Sequence, residues 1–165
     1  MGINLKKWDV YLIMVKLNLP EYGATIRKNA GRLEIFDEIR RKYLLLTPEE
    51  WVRQHMIHYL NNQCAYPMSL MKVEGGLKYN KRQKRTDILV YDRSGQPSVL
   101  VECKSYKMEK LNDQVLFQAA AYNRELKAQW IIITNGWGYY CWRIIDGEIR
   151  QEKEIPAWDE VNRQG

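Results

Sequence analysis

Between Arg85 and Lys104 the chain reads Arg-Thr-Asp-Ile-Leu-Val-Tyr-Asp, turns through Arg93-Ser94-Gly95-Gln96-Pro97, and continues Ser-Val-Leu-Val-Glu-Cys-Lys. Two short β-branched-rich runs around a turn of this composition specify a hairpin. Side chains alternate faces along a strand, so Glu102 and Lys104 share one face, and pairing with the neighbouring strand can bring Asp87 beside them. Two carboxylates and an ammonium then converge at one end of a sheet. Holding Asp87 and Glu102 within a few ångströms of each other costs repulsion and desolvation, which a divalent cation relieves. All-oxygen ligation suits Mg²⁺ or Mn²⁺ rather than zinc. A lysine on the same face can orient or help deprotonate a metal-bound water aimed at a phosphodiester and stabilise the charge that develops. The alternative is an ordinary hairpin whose charges sit in solvent as a cross-strand ion pair. Against it, Glu102 directly follows Leu100 and Val101, residues of a buried strand, where unpaired charge is expensive.

Asp87 and Glu102-x-Lys104, each embedded in an apolar strand, resemble the core of the PD-(D/E)XK nuclease superfamily. The surrounding words are more specific: Thr47-Pro48-Glu49-Glu50-Trp51-Val52-Arg53-Gln54, Arg85-Thr86-Asp87-Ile88, Val101-Glu102-Cys103-Lys104, Gln118-x-x-x-Tyr122-Asn123 and Ile133-Thr134-Asn135-Gly136. In this order, over roughly residues 33 to 145, they are similar to the N-terminal nuclease domain of type I restriction enzyme R subunits. The resemblance implies an α/β, restriction-endonuclease-like core, a mixed sheet of four or five strands flanked by helices. It also implies a Mg²⁺-dependent DNA endonuclease. Asp87, Glu102 and the Cys103 carbonyl would hold the ion, and Lys104 would position the water. It further implies a helix glutamate at the metal site, assigned to Glu49 with Glu50 left to capping, and a Gln118/Tyr122 pair beside the active site that contacts DNA. The sequence contains no Gly-x-x-x-x-Gly-Lys-Ser/Thr phosphate loop, so the R subunit's translocating motor is not expected in this chain.

Along the chain, residues 1–46 form an N-terminal extension, 47–153 the nuclease-like core and 154–165 a loose tail, all in a single domain of 165 residues. The first 32 residues are ambiguous between strand and helix, with Pro20, Gly23 and Gly31 marking turns; they suit a cap on a sheet edge or a dimer surface. Residues 32–46 read as a strand running into a short helix. Thr47-Pro48-Glu49-Glu50 starts a helix to about Asn61, with Thr47 as N-cap and Glu50 completing a capping box. Its stripe of Val52, Met56, Tyr59 and Leu60 faces the core. His55 and His58 belong to that helix rather than to the carboxylate set. Ser69 to Tyr79 reads as the first core strand, in which Glu74 is an exposed charge or an extra ligand. Leu111–Leu126 is a helix, Trp130–Thr134 a buried strand, and Tyr139–Ile145 turns through Asp146-Gly147 into a last strand. The strand-helix-strand order argues for a parallel crossover.

The net charge of +6 and pI near 9.2 favour an anionic partner. Lys81, Arg82, Lys84 and Arg85 form a basic run entering the strand of Asp87, placed to track a phosphate backbone or simply a solvated turn. Trp137, Tyr139, Tyr140 and Trp142 suit either stacking on splayed bases or sheet packing. Three widely spaced cysteines make neither a zinc pattern nor a disulfide framework, which fits a reducing cytoplasm. No stretch qualifies as a signal peptide or membrane span. Three functions are open on these residues: a metal-dependent nuclease, alone or with separate helicase or specificity subunits; a nucleic-acid-binding or partner-recruiting module of the same fold; and a branched-DNA resolvase, which needs a homodimer.

Overall fold

The structure, a computed structural model, describes residues 15–73 and 86–162. Two β-sheets share a core around one helix. The smaller is an antiparallel meander of β1 (Ile26–Asn29), β2 (Arg32–Asp37) and β3 (Lys42–Leu45). This corrects the reading of residues 32–46 as a strand and a short helix. Leu33, Ile35 and Asp37 alternate inward on β2 while Arg32, Glu34 and Phe36 point outward, a period of two that leaves no helical stripe.

The larger sheet has six strands rather than four or five, in the order β4 (Met71–Val73), β5 (Ile88–Tyr91), β6 (Pro97–Cys103), β7 (Trp130–Thr134), β8 (Tyr139–Ile145), β9 (Glu148–Glu152). β6 and β7 pair in parallel across the crossover helix α2 (Asp113–Leu126), and every other pair is antiparallel, so the sheet is mixed. The expected hairpin is present: Ile88 opposes Val101, which sets Asp87, just before β5, opposite Glu102. Asp146 and Gly147, both at positive φ (51° and 81°), make the tight turn into β9 that the sequence specifies.

Alternation on β6 divides the core. Leu100 joins Leu89, Tyr122 and Leu126 under α2. Val99, Val101 and Cys103 face the opposite layer, with Val52, Met56 and Leu60 of α1 (Pro48–Asn62). Asn112 caps α2, its side chain accepting from the Val115 amide at 3.2 Å, so that helix starts two residues later than its apolar stripe suggests. α1 is enclosed on most of its circumference, the small sheet and the segment 15–24 covering the side away from β6. His55 and His58 accordingly sit inside, with His58 stacked on Tyr22 at 3.8 Å between ring centroids. Burial holds both imidazoles below their ordinary pKa.

Residues 154–162 are not a loose tail. Ile155, Trp158 and Val161 are buried in the main core, the last two on the short helix α3 (Trp158–Asn162). The Trp158 amide donates to the Cys64 carbonyl at 2.8 Å, and the Tyr66 hydroxyl to the Pro156 carbonyl at 3.0 Å. Among the described residues, no helix is long and apolar enough to cross a membrane, and the three cysteines are buried free thiols.

Candidate active site at the end of the central hairpin

The C-terminal end of β6 opens into a cleft of about 810 Å³ lined by Glu102, Lys104, Gln114, Phe117, Gln118 and Tyr122. Glu102 and Lys104 reach it because they follow Leu100 at alternate positions, on the face that α2 covers. Lys104 lies one residue past the strand, its amide donating to the Thr134 carbonyl at 2.7 Å, so the ladder with β7 fixes its backbone. Gln118 is exposed on the cleft wall. Tyr122 also borders the cleft but is 92% buried, packed with Leu89 and Leu100, so most of its ring belongs to the core.

Asp87 stands across the ladder from Glu102. Its Oδ2 accepts from the Cys103 amide at 2.6 Å, and its Oδ1 from Arg53 Nη2 at 2.6 Å. The same Arg53 nitrogen reaches Glu49 Oε1 at 3.0 Å, and Nη1 donates to Glu50. Arg53 is the residue that the sequence reading missed. Its spacing from Glu49 and Glu50 at i+4 and i+3 was visible, but nothing local shows that its guanidinium also reaches Asp87.

A chain of buried charges runs behind Arg53. Glu50 Oε1 accepts from Arg40 at 2.9 Å and from Gln54 at 2.8 Å. Asp37, fully buried at the end of β2, accepts from Arg40 Nε at 2.7 Å, from the Arg40 amide at 2.7 Å and from Gln54 at 2.8 Å. Buried carboxylates tolerate this only because each has several donors. The small sheet is thereby tied through Arg40 and Glu50 to the guanidinium that holds Asp87. The capping reading of Glu50 is corrected accordingly. Thr47 Oγ1 does accept from the Glu50 amide at 3.0 Å, but the Glu50 carboxylate serves Arg40, Arg53 and Gln54 instead of returning to the cap, because a buried anion is better matched by two guanidiniums than by one peptide.

The electrostatics are those of crowded acids. Burial first, and then the neighbouring Asp87, push Glu102 up to about 8, with Lys104 opposing. Glu49 is raised too, by burial and then by Asp87, with Arg53 and Lys104 pulling the other way. Among the described residues no group of three His, Cys, Asp or Glu side chains is arranged to hold a metal ion. The donors that do converge are the Asp87 and Glu102 carboxylates, with Cys103 next to Glu102 and bonded through its amide to Asp87. Asp87 accepts from Arg53 and from the Cys103 amide, and the protonated Glu102 shares a hydrogen bond with it, a contact that a cation would replace. Mg²⁺ asks for one or two carboxylates and keeps several waters, so this oxygen set fits a hard cation and lacks the nitrogen or sulfur that zinc prefers. Lys81, Arg82, Lys84, Arg85 and Glu74 lie outside the described residues.

With this geometry in place, residues 48–156 match the family model described as Type I restriction enzyme R protein N terminus. Among solved structures, the chain is similar to a fragment assigned as the HsdR subunit of a type I restriction enzyme from Vibrio vulnificus YJ016. Identity is 26% over 55% of this chain, with a TM-score of 0.40, and the match spans 17% of the length of that fragment's chain. No curated protein matches.

Proposed function

The chain belongs to the type I restriction enzyme R protein N-terminus family, and on that premise we propose that it is a metal-dependent endonuclease module that hydrolyses DNA phosphodiester bonds. The observation that carries the proposal is the convergence of Asp87, Glu102 and Lys104 at one sheet end beside an open cleft. Asp87, Glu102 and the Cys103 carbonyl would hold Mg²⁺ or Mn²⁺. When bound, such an ion lowers the pKa of its water and stabilises charge on the phosphoryl oxygens. Arg53 and the Cys103 amide fix the Asp87 carboxylate in place. Lys104, held by the β7 ladder, places its ammonium to orient the attacking water and to meet developing negative charge. Glu49, paired with Arg53 beside Asp87, would act on the site through charge rather than as a ligand in the present arrangement. Gln118 offers an amide from the opposite wall, and Tyr122 its cleft-facing edge to the nucleic acid. The basic run of Lys81, Arg82, Lys84 and Arg85 immediately precedes Asp87 in sequence, where phosphate contacts would serve binding without reading sequence. Separate helicase or specificity subunits would direct such a module to its sites.

A second reading, a DNA-binding or partner-recruiting module with little chemistry of its own, is favoured by one observation: Arg53 already supplies a positive charge to both Asp87 and Glu49. A plasmid-nicking time course with Mn²⁺, run beside calorimetric metal titration, decides between them. Lys104→Ala is expected to stop nicking while metal binding persists, the mark of an interaction made in the transition state. Glu102→Ala is expected to lose both. Nicking undiminished in both variants overturns the site. DNA binding without wild-type nicking on linear, circular, nicked or branched substrates establishes the second reading.

A further inference from the structure

A second cleft, of about 490 Å³, lies at the same end of the sheet, on the β7–β8 turn and the start of β8, walled by Glu109, Lys110, Leu111, Trp137, Tyr139 and Tyr140. Its aromatic residues are unlike the rest of the core. Trp142, two residues along β8, is buried under α2, whereas Trp137 and Tyr140 keep 40% and 43% of their surface exposed. Trp137 is held rigidly for an exposed side chain. Its Nε1 donates to the Tyr106 carbonyl at 2.7 Å and its amide to Asn135 Oδ1 at 3.0 Å, while its carbonyl accepts from Asn18 at 2.6 Å. An indole with its polar edge already satisfied and its ring still exposed is a preorganised stacking surface. The Tyr139 hydroxyl is tied to the Lys153 carbonyl at 3.2 Å, so that residue is wall. Tyr140 stands 5.5 Å from the Trp142 ring, which supports it from behind.

The loop after β6 joins the two clefts. It begins with Lys104 in the first cleft and reaches Glu109, Lys110 and Leu111 in the second. Three hydrogen bonds pin it to the β7–β8 turn: Lys104 N to the Thr134 carbonyl, Asn135 Nδ2 to the Met108 carbonyl at 2.7 Å, and the Trp137 contact to Tyr106. Six residues of extended backbone span at most about 20 Å, so the clefts lie within a few nucleotides of each other along a strand. Lys107 and Lys110 are exposed on the loop between them, and Glu109 is the one carboxylate on the second cleft. Cationic side chains flanking exposed, fixed aromatic rings are the chemistry that single-stranded nucleic acid takes: phosphates along the charges, bases on the rings.

We infer that the Trp137/Tyr140 cleft binds unpaired nucleobases of a DNA strand whose backbone continues past Lys104, so that the preferred substrate is unstacked near the reacting phosphate. This rests on the nuclease reading for its second clause only. The cleft's own affinity is independent of catalysis and is measured without metal.

The test is fluorescence anisotropy in chelator with a labelled twelve-nucleotide thymidine strand, an abasic strand of the same length, and a blunt duplex. The abasic strand keeps every phosphate and lacks every base. The wild type is expected to bind the thymidine strand about tenfold more tightly than the abasic one. Tyr140→Ala and Gly138→Leu are expected to remove that preference and leave abasic binding unchanged. Gly138 lines the same cleft, and a Cβ there meets no atom within 4 Å, so leucine fills the cleft without forcing the backbone. Equal wild-type affinity for the two single strands, or a preference that survives in both variants, overturns the inference. A preference for bases in a protein that nicks nothing upholds the cleft and removes the nuclease reading; nicking without a base preference does the reverse.

Discussion

Glu102 is the residue at which the chemistry is most exposed to measurement. Its folded carboxyl holds a proton up to about 8, for reasons of burial and then Asp87, while the unfolded chain releases it near the ordinary carboxylate value of about 4.3. Across that window the folded state binds more protons than the unfolded state, so stability is greatest below it and is lost as pH rises through it. Glu49, raised in the same direction, adds to the slope. Thermal melts in chelator are therefore expected to show a melting temperature that falls between about pH 5 and pH 8.5, with Glu102→Gln flattening most of the fall. An unchanged slope in Glu102→Gln would assign the titration elsewhere. A cation entering the site must displace that proton, so metal binding near pH 7 is expected to release acid into the buffer. How far such properties can be read from sequence differs from residue to residue. Asp87, Glu102 and Lys104 were legible because a two-residue alternation and one antiparallel pairing suffice to bring them together. Arg53 was not, since its role depends on how α1 is rotated against the end of β5, which no local pattern encodes. The split between Glu49 and Glu50 was illegible for the same reason: adjacent helix residues differ by about 100° in direction, and only the packing shows that Glu50 turns inward to Arg40.

Among the elements, the legible ones carry their own punctuation. The Asp146-Gly147 hairpin, the Thr47 cap and the apolar stripe of α2 are short-range signals, and each lies where its chemistry puts it. The meander of β1 to β3 was misread because its strands are only four to six residues long and rich in Arg and Lys, so the alternation of Leu33 and Ile35 is brief. The β7–β8 turn shows what a glycine can be required for. Gly136 combines a φ of +84° with no room, since an added Cβ would lie 2.9 Å from Leu17 Cδ2 and 3.2 Å from Val52 Cγ2. Gly147 has a φ of +81° and open space. Both positions demand left-handed backbone, which asparagine tolerates. Gly136→Asn is therefore expected to cost about 1–3 kcal/mol more than Gly147→Asn in urea unfolding, the difference measuring overpacking alone. Equal costs would mean that the Leu17 side chain moves aside freely.

For the molecule as a whole, strand order in the large sheet follows chain order from β4 to β9, with α2 interposed between β6 and β7. Each strand adds to one already made, so most pairings close short loops at small entropic cost. Helix α3 departs from this, as does the Asn18 contact with the β7–β8 turn. The helix brings Trp158 back onto Cys64, and the neighbouring Pro156 meets Tyr66 from 90 residues away. A contact of that separation is expected to form after the folding barrier rather than on its way up. Trp158→Ala should therefore destabilise by about 3–5 kcal/mol, with the loss appearing as faster unfolding while the refolding arm of the chevron stays in place. Slower refolding would instead put α3 in the nucleus. The turn of helix that the sequence presents as a tail is thus a latch: it has little to do with how quickly the fold is made, and sets how long it lasts.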